Sequence, residues 1–258
     1  MAVPTSAPTT AEPALRLEWR PRAVLRIGWT LFTILVVESL VFGLSVLPAA
    51  LFWDLFFARE YPSRPVAIVA LSMAFIPTYL IFAFALMMLS AWMTGLLGWR
   101  TPRDTEMRIA DLEWPLMNWA RYMASVHVVR LFAGAVFRAT PLWAMYLRAN
   151  GARLGKGVYI NSLAVNDHNM LEFDDHVVIG DDVHLSGHTV ERGLVKTATV
   201  RLGRNCTIGL GSVVGIGVSA GPGCQVGALS LVPKYTRLEG NTTYVGTPVR
   251  KLERGPKL

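Results

Sequence analysis

Two stretches of the chain stay apolar for the length of a bilayer. Ile27 to Leu47 is interrupted only by Glu38; Pro48 follows, and the apolar character then runs raggedly to Phe57. Pro65 to Trp99 is 35 residues without a charged side chain. About 20 apolar residues span the hydrocarbon core as a helix, so two transmembrane helices are predicted. The second absorbs its excess length by tilt, by protrusion or by a bend at Pro77. The first run begins late, lacks a small-residue cleavage site and is followed by another apolar run, which argues against a signal peptide. Glu38 inside a span is costly unless it faces protein or water. A hydrogen bond between helices is the simpler reading, and a place on a substrate path the alternative.

After residue 150 the period changes to six. Leu202, Ile208, Val214, Ala220, Val226 and Val232 recur in step, the first five each followed by glycine, and a small or β-branched residue stands four positions on. Leu154 and Ile160, then Phe173, Ile179 and Leu185, extend the series, with slips of phase between 160 and 173 and between 185 and 202. A hexapeptide period of this kind describes a left-handed parallel β-helix, in which each hexad is a short strand and a turn and three hexads close one coil. Cys206 and Cys224 are 18 residues apart and should stack in adjacent coils as small buried thiols. The fold class expected is therefore mainly β: a left-handed β-helix preceded by two transmembrane helices and interfacial helices.

Composition agrees with this division. Hydrophobic residues make up 52% of the 258 residues and charged ones only 17%, while two cysteines exclude a disulfide scaffold. Basic residues set the orientation. Arg16, Arg20, Arg22 and Arg26 precede the first span and Arg100, Arg103 and Arg108 follow the second, against Arg59 and Arg64 between them. Both ends should face the cytoplasm, making a multi-pass protein of the plasma membrane with its repeat domain on the inner side. Between Trp114 and Lys156 six basic residues, with no acidic one, alternate with Trp114, Trp119, Trp143 and Tyr146. That mixture suits an anionic lipid surface better than nucleic acid. The expected divisions are a tail at 1–26, the two-helix region at 27–99, basic amphipathic helices at 100–150 and the β-helix at 151–258.

Several segments carry a more specific likeness. Arg138-Ala-Thr-Pro-Leu-Trp143, then Leu147-Arg148-Ala-Asn-Gly151-Ala-Arg-Leu-Gly155, resembles the start of the C-terminal membrane region of ε-poly-lysine synthetase-type nonribosomal enzymes. Ser186-Gly-His188-Thr-Val-Glu191-Arg192 is similar to a His-x-x-Glu-x-Arg stretch of that region, and also to the Gly-His segment of hexapeptide O-acetyltransferases. Gly246-Thr-Pro248-Val-Arg250-Lys251 resembles the closing motif of hexapeptide transferases, with Val249 in place of the usual small residue. The resemblance implies a membrane-bound acyltransferase using coenzyme A or a carrier-protein phosphopantetheine thioester, with no permanently bound cofactor and a small-molecule acceptor. A peptidyl carrier protein or a nonribosomal synthetase would be its partner. The family region carries three repeat domains and about six membrane helices in one chain. One repeat domain and two helices here imply a homotrimer.

Chemistry concentrates around the histidines. His168, His176, His184 and His188 fall within 21 residues. His188 occupies a turn after Leu185, beside the interruption at Val190 to Thr199, where an exposed imidazole can take a proton from an attacking amine or hydroxyl. Glu191 could orient that imidazole. Asn166-Asp167-His168 precedes it by about one coil, so Asp167 and His168 are expected beneath it as a second polar layer. The resemblance adds Lys234, Arg250 and Lys251 as contacts for the phosphates of the pantetheine donor. Zinc on the histidine cluster, as in γ-type carbonic anhydrases, is an alternative without a recognised ligand pattern. The glycines fit coil turns, and no phosphate-binding or dinucleotide fingerprint occurs. The function expected is acyl transfer to an amine with His188 as general base. O-acetylation of a sugar or lipid headgroup and a non-catalytic synthetase scaffold are the rivals.

Overall fold

The computed structural model describes residues 21–253. Arg16 and Arg20, on which part of the orientation rests, lie outside the described residues.

Two long helices form an antiparallel hairpin: α1 (Pro21–Phe57, 37 residues) and α2 (Arg64–Leu96, 33 residues). Both are long and apolar enough to cross a membrane. Their outer faces expose side chains such as Leu35, Leu55 and Met73, which no other described part of the chain covers. The inner faces meet a layer of shorter helices. These are α3 (Trp114–Val129), a π-helical turn at Arg130–Gly134, α4 (Ala135–Phe137) and α5 (Pro141–Ala149). Ser90 of α2 and Ser125 of α3 share a hydrogen bond of 2.9 Å, and the carboxylate of Glu38 lies buried beside Ser125. Phe42, Phe82 and Phe132 pack edge to face across the same junction.

The intermediate layer is less superficial than its composition suggests. Trp143 and Tyr146 are fully buried, and Arg121 is turned inward, donating to Thr33 and Asn118 beneath the rings of Trp99 and Trp114. A guanidinium can sit there because its flat faces stack on aromatic rings while its edges find acceptors.

From residue 151 the chain winds into a triangular prism of parallel strands, most of them two residues long. Leu202 pairs in register with Ala220, Ile208 with Val226, Val214 with Val232 and Ala220 with Leu238, each offset by 18 residues. The period-six aliphatics from Leu202 to Val232 point inward and are all buried. Small residues must follow them because successive coils touch there: a Cβ at Gly209 would lie 2.5 Å from the backbone nitrogen of Ala228. Cys206 and Cys224 stack in neighbouring coils as buried free thiols.

Two expectations need revision. Among the described residues helix outweighs strand, because each coil spends most of its residues in turns while residues 21–150 are largely helical, so the protein is not mainly β. His188, expected in a turn after Leu185, instead opens a strand, and the interruption there is an ordered element. Leu185 pairs with Val214 at an offset of 29 rather than 18, and the excess forms an antiparallel hairpin of His188–Glu191 and Leu194–Thr197. Its turn, Arg192–Gly193, has positive φ at both residues, the hand that matches strand twist. A third strand, Glu106–Arg108 from the segment after α2, pairs with the hairpin's outer side.

Candidate functional site

The hairpin begins at one corner of the prism, and His188 is its first residue. Directly beneath, the phase slip between Ile160 and Phe173 leaves extra chain, and Asp167 lies in it. The two side chains meet: His188 Nδ1 is 2.5 Å from Asp167 Oδ2. Asp167 is fully buried, whereas the His188 side chain keeps 18% of its surface open.

A buried carboxylate must be satisfied on both oxygens. Oδ2 accepts from Ser186 Oγ at 3.0 Å and from the Gly187 backbone N–H at 3.1 Å, besides His188. Oδ1 accepts from Thr101 Oγ1 at 2.7 Å and Trp119 Nε1 at 3.3 Å. Burial alone would raise the pKa of Asp167. The hydrogen bond and charge of His188, with the Thr101 and Ser186 donors, outweigh it and hold the carboxyl below its usual range. The Asp167 backbone has φ 52°, an uncommon conformation for a residue with a side chain. Gly187 is required by the same crowding, since a Cβ there would sit 2.6 Å from Met170 Cβ and 3.0 Å from Asp167 Cβ.

An ionised Asp167 on Nδ1 fixes the tautomer in which Nδ1 carries the proton and Nε2 presents a lone pair. Among the described residues no protein group bonds Nε2. The indole of Trp119 stands edge-on to the imidazole, with ring centres 5.0 Å apart. The arrangement is a partly open imidazole held in place by a buried carboxylate.

The other expected residues fall elsewhere. Glu191 was expected to orient the imidazole, but it lies along the hairpin, paired with Lys234 and, at 3.5 Å, with Lys196. His188 and Glu191 are first and last of a four-residue strand, so their side chains stand on opposite faces of the hairpin. His168 was expected in the layer under His188, but its ring turns inward, edge-on to Tyr122 and Tyr146. There Nε2 bonds the Val165 carbonyl at 3.1 Å, and burial, helped by the charge of Arg130, pushes its pKa down to about 3. His168 is therefore a neutral core residue. Lys234 sits further along the same corner as His188, tied to Glu191. Lys251 pairs with Glu239 at 2.8 Å, and Arg250 shares its strand at the far end of the prism. Lys234 and Lys251 are thus each held by a carboxylate of the chain itself. His184 projects outward from a prism face and His176 occupies a turn.

Ser186, Gly187, Thr101 and Trp119 went unrecognised from sequence as partners of Asp167. Ser186 and Gly187 adjoin His188 and could have been included on position. Thr101 and Trp119 come from 66 and 48 residues away in the helical half, and no spacing rule reaches them.

No family model matches the chain. Among curated proteins it is similar to the delta-poly-L-ornithine synthetase of Acinetobacter baumannii (strain AB307-0294), with 22% identity over 188 residues, 70% of this chain. The match spans only 13% of that much longer protein. Among solved structures, a maltose O-acetyltransferase from Clostridium difficile 630 is 18% identical, covering 56% of this chain and 90% of its own at a TM-score of 0.39. Serine acetyltransferase from Brucella abortus strain S19 is 17% identical, covering 67% of this chain and 57% of its own at 0.37. The chain is thus similar to a short part of one peptide-polymer synthetase and, in partial overlays, to hexapeptide-type acetyltransferases.

Proposed function

We propose that the chain is a membrane-anchored acyltransferase built on a left-handed hexapeptide-repeat β-helix. The observation that carries this reading is the buried Asp167 carboxylate on Nδ1 of a partly open His188 at a corner of the prism. His188 Nε2 removes a proton from the acceptor nitrogen as that nitrogen attacks the thioester carbonyl. The C–N bond forms, the C–S bond breaks, and the same proton passes to the departing sulfur. Asp167 does not leave its carboxylate state; it orients the ring and stabilises the imidazolium that forms. Likeness to the delta-poly-L-ornithine synthetase favours an amine acceptor and an amide product, although the same proton transfer serves a hydroxyl.

The donor is a thioester of coenzyme A or of a carrier-protein phosphopantetheine. Arg250, Lys234 and Lys251 remain its proposed phosphate contacts, the two lysines exchanging carboxylate partners for phosphate. The apolar faces of α1 and α2 sit in the plasma membrane with the prism on the cytoplasmic side, and three chains assemble so that donor grooves form between prisms. Mass measurement in detergent tests the trimer, and a monomer would remove it.

The reaction is tested by thiol release from purified protein in detergent, offering acyl-CoA and aminoacyl-carrier donors with amines and alcohols as acceptors. Acceptor-dependent release that disappears in His188→Ala is the expected result and names the donor class. No release from any donor by a well-assembled protein would move the reading to a scaffold for a synthetase.

A further inference from the structure

The segment that carries Asp167 is fastened mainly by the helical half of the chain and only partly by the prism. Thr101 and Trp119 occupy Oδ1 of its carboxylate. Arg130 donates to the Val165 carbonyl at 2.7 Å and to the Asn166 side chain. The His168 backbone N–H donates to Tyr122 Oη at 3.2 Å. Asn169 Nδ2 donates to the Thr101 carbonyl at 2.8 Å, and Arg103 Nη2 to the Asn169 carbonyl at 2.7 Å. Every one of these partners lies between residues 101 and 130, on α3, just after it, or in the segment that follows α2. The Asp167 backbone itself stands in the left-handed region at φ 52°, which Asp tolerates better than most residues.

Trp119 touches both members of the pair. Its Nε1–H donates to Asp167 while its ring edge abuts the His188 imidazole. Thr101 donates to the same oxygen from the chain just beyond α2. With Oδ1 occupied by two donors, the carboxylate cannot rotate, and Oδ2 stays aimed at the imidazole. We propose that Thr101 and Trp119 are positioning residues for the Asp167–His188 pair, supplied to the prism by the membrane half of the chain. This rests on the acyl-transfer reading for its catalytic consequence but not for its geometry.

The test uses the full chain in detergent, with Trp119→Phe, which keeps a ring and deletes the N–H, Thr101→Val, which keeps the shape and deletes the hydroxyl, and Thr101→Ser, which restores it. Two readouts are taken: kcat and KM for whichever donor and acceptor give thiol release, and the titration midpoint and tautomer of His188 by NMR of histidine-labelled protein. Trp119→Phe and Thr101→Val should each lose about tenfold in kcat, the worth of one hydrogen bond to a charged group, with KM changed less than about twofold. The His188 midpoint should shift in both, and Thr101→Ser should behave as wild type. Unchanged kcat together with an unmoved His188 titration would overturn the proposal. So would equal losses in Thr101→Ser and Thr101→Val with His188 unmoved, which marks a role in packing alone. If the wild type transfers nothing, the acyl-transfer reading fails, while the histidine titration still decides whether these residues position the pair.

Discussion

The carboxylate of Asp167 and the imidazole of His188 meet at 2.5 Å although 21 residues of chain separate them. If this pair works as a unit, Asp167→Asn keeps the shape and removes the charge that selects the tautomer. Thiol release should fall about 10²- to 10⁴-fold, in the range of general acid–base contributions. His188→Ala should fall comparably, and the double variant no further than the worse single one, since members of one unit are not additive. Steady-state rates of the four proteins check this; two independent, multiplying losses would dissolve the pair.

Gly187→Ala places a methyl group where 2.6 Å separates its site from Met170 Cβ. The overpacking should cost about 1–3 kcal/mol, seen as a lower unfolding midpoint in detergent. Because Asp167 borders the same space, the rate should drop more than the folded fraction does. Comparison of specific activity at a temperature where both proteins are fully folded separates the two effects.

His168 should make the protein acid-sensitive well above the carboxylate range. Its folded pKa is about 3, depressed by burial, against roughly 6.5 for an unfolded histidine. Between those values the unfolded chain binds a proton that the folded one does not. Stability is therefore fully present above about pH 6.5 and declines as pH falls toward 3, by at most about 1.4 kcal/mol per unit. Unfolding midpoints measured from about pH 7 to about pH 4 should fall steadily, and His168→Phe should flatten the slope. An equal slope in the variant would assign the effect to other groups.

The two thiols should be inert in the native protein. Burial raises both, Cys224 to about 12 with Cys206 beside it adding to the rise, and the thiolate is the reactive form. Alkylation counted by mass spectrometry should be negligible near neutral pH before unfolding and should reach both cysteines after it. Rapid modification of either in the native protein would mean that the coils open locally.

Sequence reached furthest where one physical constraint repeats. The six-residue recurrence from Leu202 to Val232 predicted the prism because every coil imposes the same inward aliphatic and the same close approach at its turn. The apolar runs predicted α1 and α2 for an equally local reason. Asp167 beneath His188 was reachable by counting one coil back. The partner wrongly favoured, Glu191, was nearer in sequence but on the other side of its strand, and His168 had the right element and the wrong face. What stayed hidden was everything joining the halves. Thr101, Trp119 and Arg130 act on the prism through folding of the whole chain, and each reads in the sequence as ordinary surface or membrane-border chemistry.

The prism carries a partial cover at each end. At the start, α5 with Trp143, Tyr146 and Leu147 lies across the first coil. At the finish the chain doubles back: Arg250–Lys251 pairs antiparallel with Thr243–Val245, while Leu231 and Val249 bond across the last turn. A solenoid with a bare terminal rung offers its backbone to the next molecule and invites filaments. A helix across the first coil and a reversed strand beside the last cover part of each end rung, which hinders end-to-end stacking and leaves the prism flanks as the freer surface for association.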